Sequence, residues 1–158
     1  MPSLKFPDPK VNKRAWKGDI PLTNRYTAGL AGDKFFKIMK DEGRLTGTVC
    51  QKCSLTYVPA RFFCERCFSE LNHSWVDVND SGKIVSFTVV HIDLDAKKLI
   101  QPQIVAMVEL ADSGARMVHL LGEAEKEKLV IGQKVKAVWK PVEQREGKIT
   151  DIAYFKPL

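Results

Sequence analysis

Cys50-Gln51-Lys52-Cys53 and, after ten intervening residues, Cys64-Glu65-Arg66-Cys67 hold all four cysteines of the chain. Each CxxC pair forms a tight knuckle that turns two thiolates toward one point. Two such knuckles supply the four sulfur ligands that tetrahedral zinc prefers. A site closed by four thiolates has no open position for water or substrate, so it is structural rather than catalytic. Two other readings use the same residues. An iron centre takes the same four thiolates, and two disulfides would use the same pairs. The disulfide reading needs an oxidising compartment, and Met1-Pro2-Ser3-Leu4-Lys5-Phe6-Pro7 contains no continuous apolar segment of the secretory kind. A redox CxxC normally occurs once, beside a βαβ pattern, and no such pattern is present. Zn2+ through Cys50, Cys53, Cys64 and Cys67 is therefore the preferred assignment.

Outward from the knuckles, residues 44–79 read as the metal module. Leu45–Val49 leads into the first knuckle. Leu55–Val58 and Ser74–Val78 read as short strands, and Pro59-Ala60-Arg61 turns the chain toward the second knuckle. So small a module has little core, and the metal must supply much of its folding free energy. Before it, residues 1–43 form an N-terminal arm and helix. The arm is punctuated by proline and glycine, with a short helix around Val11–Lys17 and Trp16 as its one large anchor. The main helix opens at Gly32-Asp33, where Asp33 is placed to cap the first turn. It carries Phe35, Ile38, Met39 and Glu42 on one face with Phe36 beside them. Gly43 ends it in the left-handed conformation.

Residues 80–158 read as five strands: Lys83–Ile92, Gln103–Leu110, Arg116–Leu121, Gln133–Lys140 and Lys148–Phe155. In the second, Ile104, Ala106, Val108 and Leu110 share one face. In the fourth, Val135, Ala137 and Trp139 alternate with Lys134, Lys136 and Lys140. A short helical turn, Glu123–Leu129, follows the third strand. Five strands with a helical turn after the third is the order of an OB-fold barrel. The fold class expected is mainly β with an N-terminal helix: a rubredoxin-like zinc ribbon followed by a five-stranded OB-fold barrel.

The chain has 158 residues and a net charge of +6. No stretch is long enough to span a bilayer, so a soluble, cytoplasmic protein with no membrane partner is expected. The charge is uneven. Residues 1–25 carry six Lys/Arg against Asp8 and Asp19, whereas residues 81–158 carry twelve basic and ten acidic groups. A basic arm admits nucleic acid, a membrane surface or a phosphorylated small molecule as partner, or is simply solvated. Catalytic candidates are few. The cysteines are committed to the metal, and His91 and His119 fall in strands, where a lone histidine is usually structural. Asp93 and Asp95 share one side if the first barrel strand continues through them. There is no Walker loop, dinucleotide fingerprint or nucleophile elbow. No catalytic residue is assigned. A single-stranded nucleic-acid-binding OB protein is the alternative class, but it needs exposed aromatics interleaved with basic residues. The barrel offers only Phe87, Trp139, Tyr154 and Phe155, without such a stripe.

The combination resembles the zinc-ribbon/OB-fold acyl-CoA-associated family, long filed as a domain of unknown function. The resemblance runs across essentially the whole chain. It is carried by Arg25-Tyr26-Thr27-Ala28-Gly29, Phe35-Phe36, Gly43-Arg44-Leu45-Thr46-Gly47, both CxxC pairs, Tyr57-Val58-Pro59-Ala60-Arg61, Phe63, Ile131-Gly132-Gln133-Lys134-Val135 and Tyr154-Phe155-Lys156-Pro157. Where the family usually has glycine near the end of each knuckle, this chain has Ser54 and Phe68. The resemblance implies a non-catalytic accessory or scaffold protein of lipid metabolism. It implies that the protein binds acyl-CoA or CoA and partners a thiolase-like or other acyl-CoA enzyme. A CoA site in the cleft between helix, ribbon and barrel would draw on Phe35, Phe36, Tyr57, Arg61 and Phe63, with nearby cations meeting the phosphates. These aromatics equally suit a role as cement between the modules.

Overall fold

The computed structural model describes residues 27–158 apart from residues 94 and 96. The expected arm, with its helix around Val11–Lys17 and its Trp16 anchor, lies outside the described residues.

Helix α1 spans Gly29–Glu42. It begins a turn earlier than the Gly32-Asp33 pair indicates. Ala28 occupies the N-cap with no side-chain hydrogen bond, and Asp33 is an exposed residue inside the helix rather than its cap. The extra turn buries Ala31 on the same stripe as Phe35 and Met39, which fixes the start by packing instead of capping. The C-terminus matches expectation. Gly43 is left-handed at φ 64°, and its N–H donates to Met39 O at 3.1 Å.

Three strands form the ribbon sheet in the order β2-β1-β3: β1 Leu45–Cys50, β2 Leu55–Tyr57 and β3 Trp75–Val78. Five more close a barrel in the order β4-β5-β6-β8-β7: β4 Ser81–Ile92, β5 Lys98–Leu110, β6 Arg116–Leu121, β7 Lys134–Trp139 and β8 Ile152–Pro157. β6 and β8 pair in parallel through Leu121 and Phe155, and β7 returns to β4 through Gly82 and Val135. Closure of this kind removes exposed sheet edges, and the order is that of an OB-fold. Alternation is clean in β5, and in β7 it holds through Ala137 until a bulge at Val138–Trp139 leaves both residues half-buried. Ile104, Ala106, Val108 and Leu110 point inward from β5, Met117, His119 and Leu121 from β6, and Val135 and Ala137 from β7. β5 starts five residues earlier than expected. On the N-terminal side of Ile104 it pairs with β4 alone, as a two-stranded arm that leaves the barrel. Among the described residues, no helix is long and apolar enough to cross a membrane.

Two local expectations change. Only Lys126–Lys128 of the segment Glu123–Leu129 is helical, as one 3-10 turn. The last strand begins at Ile152 instead of Lys148, because Ile149–Asp151 form a 3-10 turn. Asp151 is the reason. It is fully buried, and its carboxylate accepts the backbone N–H of Glu146 at 2.9 Å, Gly147 at 2.8 Å and Lys148 at 3.2 Å. A strand at that point would leave the buried carboxylate without donors.

Phe35 and Met39 of α1, Leu45 and Val78 of the ribbon, and Ile84, Val108, Ile152 and Phe155 of the barrel belong to one apolar core. A second, smaller cluster of Cys50, Tyr57, Cys64 and Leu71 lies at the far end of the ribbon. Helix and barrel therefore stand or fall together, while the metal end has its own support.

Burial raises the Asp151 pKa, but the three backbone donors, with Lys140, outweigh it and hold the group below its ordinary 3.8. A carboxylate depressed on folding contributes stability that is fully present above its unfolded pKa and is lost as pH falls through the folded one. Asp151→Asn should remove that acid-side loss and cost about 2–3 kcal/mol at neutral pH, since amide hydrogens then face backbone donors. Urea unfolding of both proteins between neutral pH and pH values below 3.8 is the check. Equal stability at neutral pH would contradict this account of the turn.

Candidate metal centre

The cysteine sulfurs converge as the spacing implies. One sulfur from each of Cys50, Cys53, Cys64 and Cys67 lies within 4.8 Å of all the others, and Cys50 Sγ and Cys67 Sγ are 3.5 Å apart. Four thiolates at tetrahedral zinc, with Zn–S near 2.3 Å, would stand about 3.8 Å apart, so the constellation fits one metal ion. Among the described residues it is the only such cluster of His, Cys, Asp or Glu. β1 delivers Cys50 directly. The second knuckle is shaped by Cys64 N–H donating to Ser69 O and Phe68 N–H donating to Cys64 O, both at 2.9 Å. Ser54 and Phe68, which replace the usual glycines, are both left-handed, at φ 53° and 56°. The knuckle geometry is kept despite the steric cost to a residue with a Cβ.

Electrostatics divide the thiols into two kinds. Tyr57 donates its phenol O–H to Cys64 Sγ at 3.2 Å, and this bond, against the opposing effect of burial, brings the Cys64 thiol down to about 6. The Ser69 hydroxyl, 3.3 Å from Cys67 Sγ, and its backbone N–H lower Cys67. Burial pushes Cys50 up, and the neighbouring Cys67 pushes Cys53 up to about 12. Two thiols are thus prepared as thiolates while two resist, because four negative charges cannot share so small a volume unaided. A bound cation reverses that balance and deprotonates all four.

The aromatic residues named for a CoA cleft do not line one cleft. Phe35 is fully buried in the main core, and Tyr57 is buried with its hydroxyl spent on Cys64. Both are enclosed by the fold and present little or no surface to solvent. Phe36 is half-buried, edge-on to Phe35 at 5.3 Å. Phe63 is 55% exposed beside the second knuckle, and Arg61 is exposed, ion-paired with Glu65 and 5.1 Å from the Tyr57 ring. Hydrophobic type alone does not reveal which aromatic ends up inside.

The remaining polar candidates are structural. His119 faces the barrel interior with Nε2 3.3 Å from Ile149 O, while its Nδ1 accepts the Leu120 N–H at 2.9 Å. His91 is exposed on the β4–β5 arm. β4 ends at Ile92, so Asp93 and Asp95 are not a strand pair. Asp93 Oδ1 accepts the N–H groups of Asp95 and Lys97 at 2.9 and 2.8 Å and closes the turn. A feature that the sequence reading missed is the outer face of β5 and β6. Cross-strand pairs Val105–Leu120 and Met107–Val118 make it apolar, and Val118 is 61% exposed. The signal was present in Arg116–Leu121, where the residues between the inward ones are Val118 and Leu120 instead of polar.

Comparison with known proteins supports both halves. Residues 39–73 match the family model of the ChsH2 rubredoxin-like zinc ribbon domain, and residues 75–140 match that of the ChsH2 C-terminal OB-fold domain. A DUF35 domain-containing scaffold protein of Methanothermobacter thermautotrophicus is 32% identical over 116 residues, covering 72% of this chain and 86% of the relative. A scaffold protein of the same description from Methanocaldococcus jannaschii is 28% identical over 122 residues, covering 76% and 86%. Two solved structures share the fold at 24% identity. One is a DUF35-family protein of unknown function from Sulfolobus solfataricus, with TM-score 0.59 and coverage of 82% of this chain and 84% of that one. The other is a chain of an Ltp2-ChsH2(DUF35) aldolase, with TM-score 0.58 and coverage of 84% and 98%.

Elemental analysis of the purified protein should find one metal ion per chain. Cys64→Ser should lose it and loosen the small cluster, while barrel amide signals persist because their core is separate. Tyr57→Phe should keep the metal but hold it about ten-fold less tightly in chelator competition, the usual scale for losing a hydrogen bond to a ligand. Protein with neither zinc nor iron would overturn the assignment.

Proposed function

The chain belongs to the DUF35 family of zinc-ribbon/OB-fold proteins, and from that membership we propose that it is a non-catalytic scaffold. In this reading it binds acyl-CoA or CoA and completes a thiolase-like or related acyl-CoA enzyme. Zinc fills the four-thiolate site as a redox-inert, closed tetrahedral centre that holds the ribbon in shape. The relatives described as scaffold proteins, and the related chain seen within an aldolase, support this reading.

The outer face of β5 and β6 carries the argument. In OB-folds that bind single strands, this surface presents aromatic rings among basic residues. Here the outward residues are Gln103, Val105, Met107 and Glu109 on β5, and Arg116, Val118 and Leu120 on β6. None is aromatic. The one cation, Arg116, is held by Glu109 at 3.0 Å. Such a surface is poor for nucleic acid and suited to an apolar protein contact with a polar margin. Phe36, Arg61 and Phe63 are the remaining candidates for contact with CoA or with the partner enzyme. The metal ligands leave no thiol free, so the scaffold acts through added contact surface rather than through a nucleophile of its own.

Affinity capture from native extract followed by mass spectrometry should recover acyl-CoA condensing or related enzymes. Val118→Arg should weaken that association by about 2 kcal/mol or more, which is roughly thirty-fold in Kd. Metal content should not change. Calorimetry should register CoA or a short acyl-CoA, and not mixed single-stranded oligonucleotides at moderate salt. Recovery of ribosomal or polymerase subunits would sink the proposal in favour of nucleic acid. Turnover of acyl-CoA by the isolated chain would sink its non-catalytic part.

A further inference from the structure

Two polar side-chain atoms in the ribbon sheet are sealed from solvent and have no hydrogen-bond partner among the described residues: Thr46 Oγ1 and Trp75 Nε1. Register brings them together. Thr46 faces Asp77 and Thr48 faces Trp75 across the β1–β3 ladder, so Thr46 and Trp75 are diagonal neighbours on one sheet face. Both also line a single cavity of about 230 Å³, which Lys34 and Ile38 of α1 border on one side and Arg44 and Asp77 on another.

Equivalent groups elsewhere among the described residues are satisfied. Thr48, two residues along the same face, donates to Arg61 O at 2.9 Å and accepts from Arg61 N–H at 3.0 Å. Trp139 Nε1 donates to Asp80 Oδ2 at 3.3 Å. Folded proteins leave few buried polar atoms unpaired, because each such atom forfeits its hydration without return. Two orphans side by side at one cavity, with Thr46 only 3% exposed, mark a place that no described residue completes.

The chemistry of the lining defines that partner. An indole N–H can only donate, and the Thr46 hydroxyl is free to donate as well. Lys34 Nζ lies 4.0 Å from the Trp75 ring centroid and adds a positive charge with further donors. Among the described residues Lys34 forms no ion pair, whereas Arg44 is occupied by Glu42 and Asp77. Several convergent donors and one uncompensated cation fit an oxyanion with two or more acceptor oxygens. The cavity is smaller than the roughly 300–1,000 Å³ of sites for drug-sized ligands. It therefore suits a small molecule or the head of a larger one.

We propose that the cavity between α1 and the β1–β3 face binds a carboxylate- or phosphate-bearing ligand through Thr46, Trp75 and Lys34. Lys34 is exposed and rests on the indole, so it can swing from the ring toward a ligand in the cavity. A cation on an exposed ring is held weakly enough for that motion.

The test follows the indole N–H resonance of Trp75 in the isotope-labelled, metal-loaded full chain, assigned through Trp75→Phe. Inorganic phosphate, succinate and sodium chloride are titrated at matched ionic strength. Phosphate or succinate should shift the signal saturably and chloride should not. The arm that saturates distinguishes phosphate from carboxylate. Thr46→Val and Lys34→Met should each weaken the response about ten-fold or more, with metal content unchanged. Thr46→Val should also raise Tm in oxyanion-free buffer, since it removes an unpaired buried hydroxyl at nearly constant volume. The proposal is overturned if neither oxyanion moves the Trp75 signal at tens of millimolar. A lower Tm for Thr46→Val in oxyanion-free buffer also overturns it, because an internal water then completes these groups.

Discussion

Strand β1 has to serve two cores at once. Leu45, at its start, is fully buried in the core shared by α1 and the barrel, and Cys50, at its end, is buried in the metal cluster. Six residues of extended chain separate these anchors by about 17 Å. β2 and β3 flank the strand, and α1 packs beside it, so nearly every residue along it is buried. A shift of one residue would send Leu45 out of the main core and Cys50 away from the metal together. The placement of the helix, the register of the ribbon and the convergence of the sulfurs all depend on this one strand holding its place.

The two ends of β1 are stabilised by different physics. At the Leu45 end, apolar burial does the work, and Leu45 shares one core with Phe35, Met39, Val108, Ile152 and Phe155. At the Cys50 end the apolar cluster is small, and without a cation the thiols oppose one another, two lowered and two raised. There the ion contributes what the core cannot. Tyr57 connects the two regimes: its ring packs in the small cluster while its hydroxyl holds the Cys64 thiolate.

An OB-fold fixes a surface but not its use. In this molecule the barrel face that other OB-folds turn toward single strands is aliphatic, and the aromatic residues of α1 and the ribbon are divided between core and surface. Phe35 and Tyr57 are interior, while Phe63 and Phe68 are exposed beside the second knuckle. Left-handed Phe68 is an exposed aromatic in a conformation that glycine would adopt more readily. A scaffold reading gives these surfaces a common role, because protein contacts draw on apolar area and tolerate the absence of cations.

The features that the sequence alone determined are those set by local spacing. Two CxxC pairs imply a common ligand point, period-two alternation in Gln103–Leu110 implies one buried face, and Gly43 after an apolar stripe implies a helix end. Each depends on residues a few positions apart, and each holds in the structure. Tertiary structure decided whatever depends on residues far apart in the chain. The start of α1 follows from the burial of Ala31, not from Asp33. The 3-10 turn before β8 exists because a buried Asp151 collects three amides. The same kind of residue has opposite fates in Phe35 and Phe63, and in Thr48 and Thr46, because Arg61 reaches one threonine and nothing in the described chain reaches the other. Periodicity reports which side of an element a residue occupies, but burial and hydrogen-bond satisfaction depend on what the rest of the fold brings to that side.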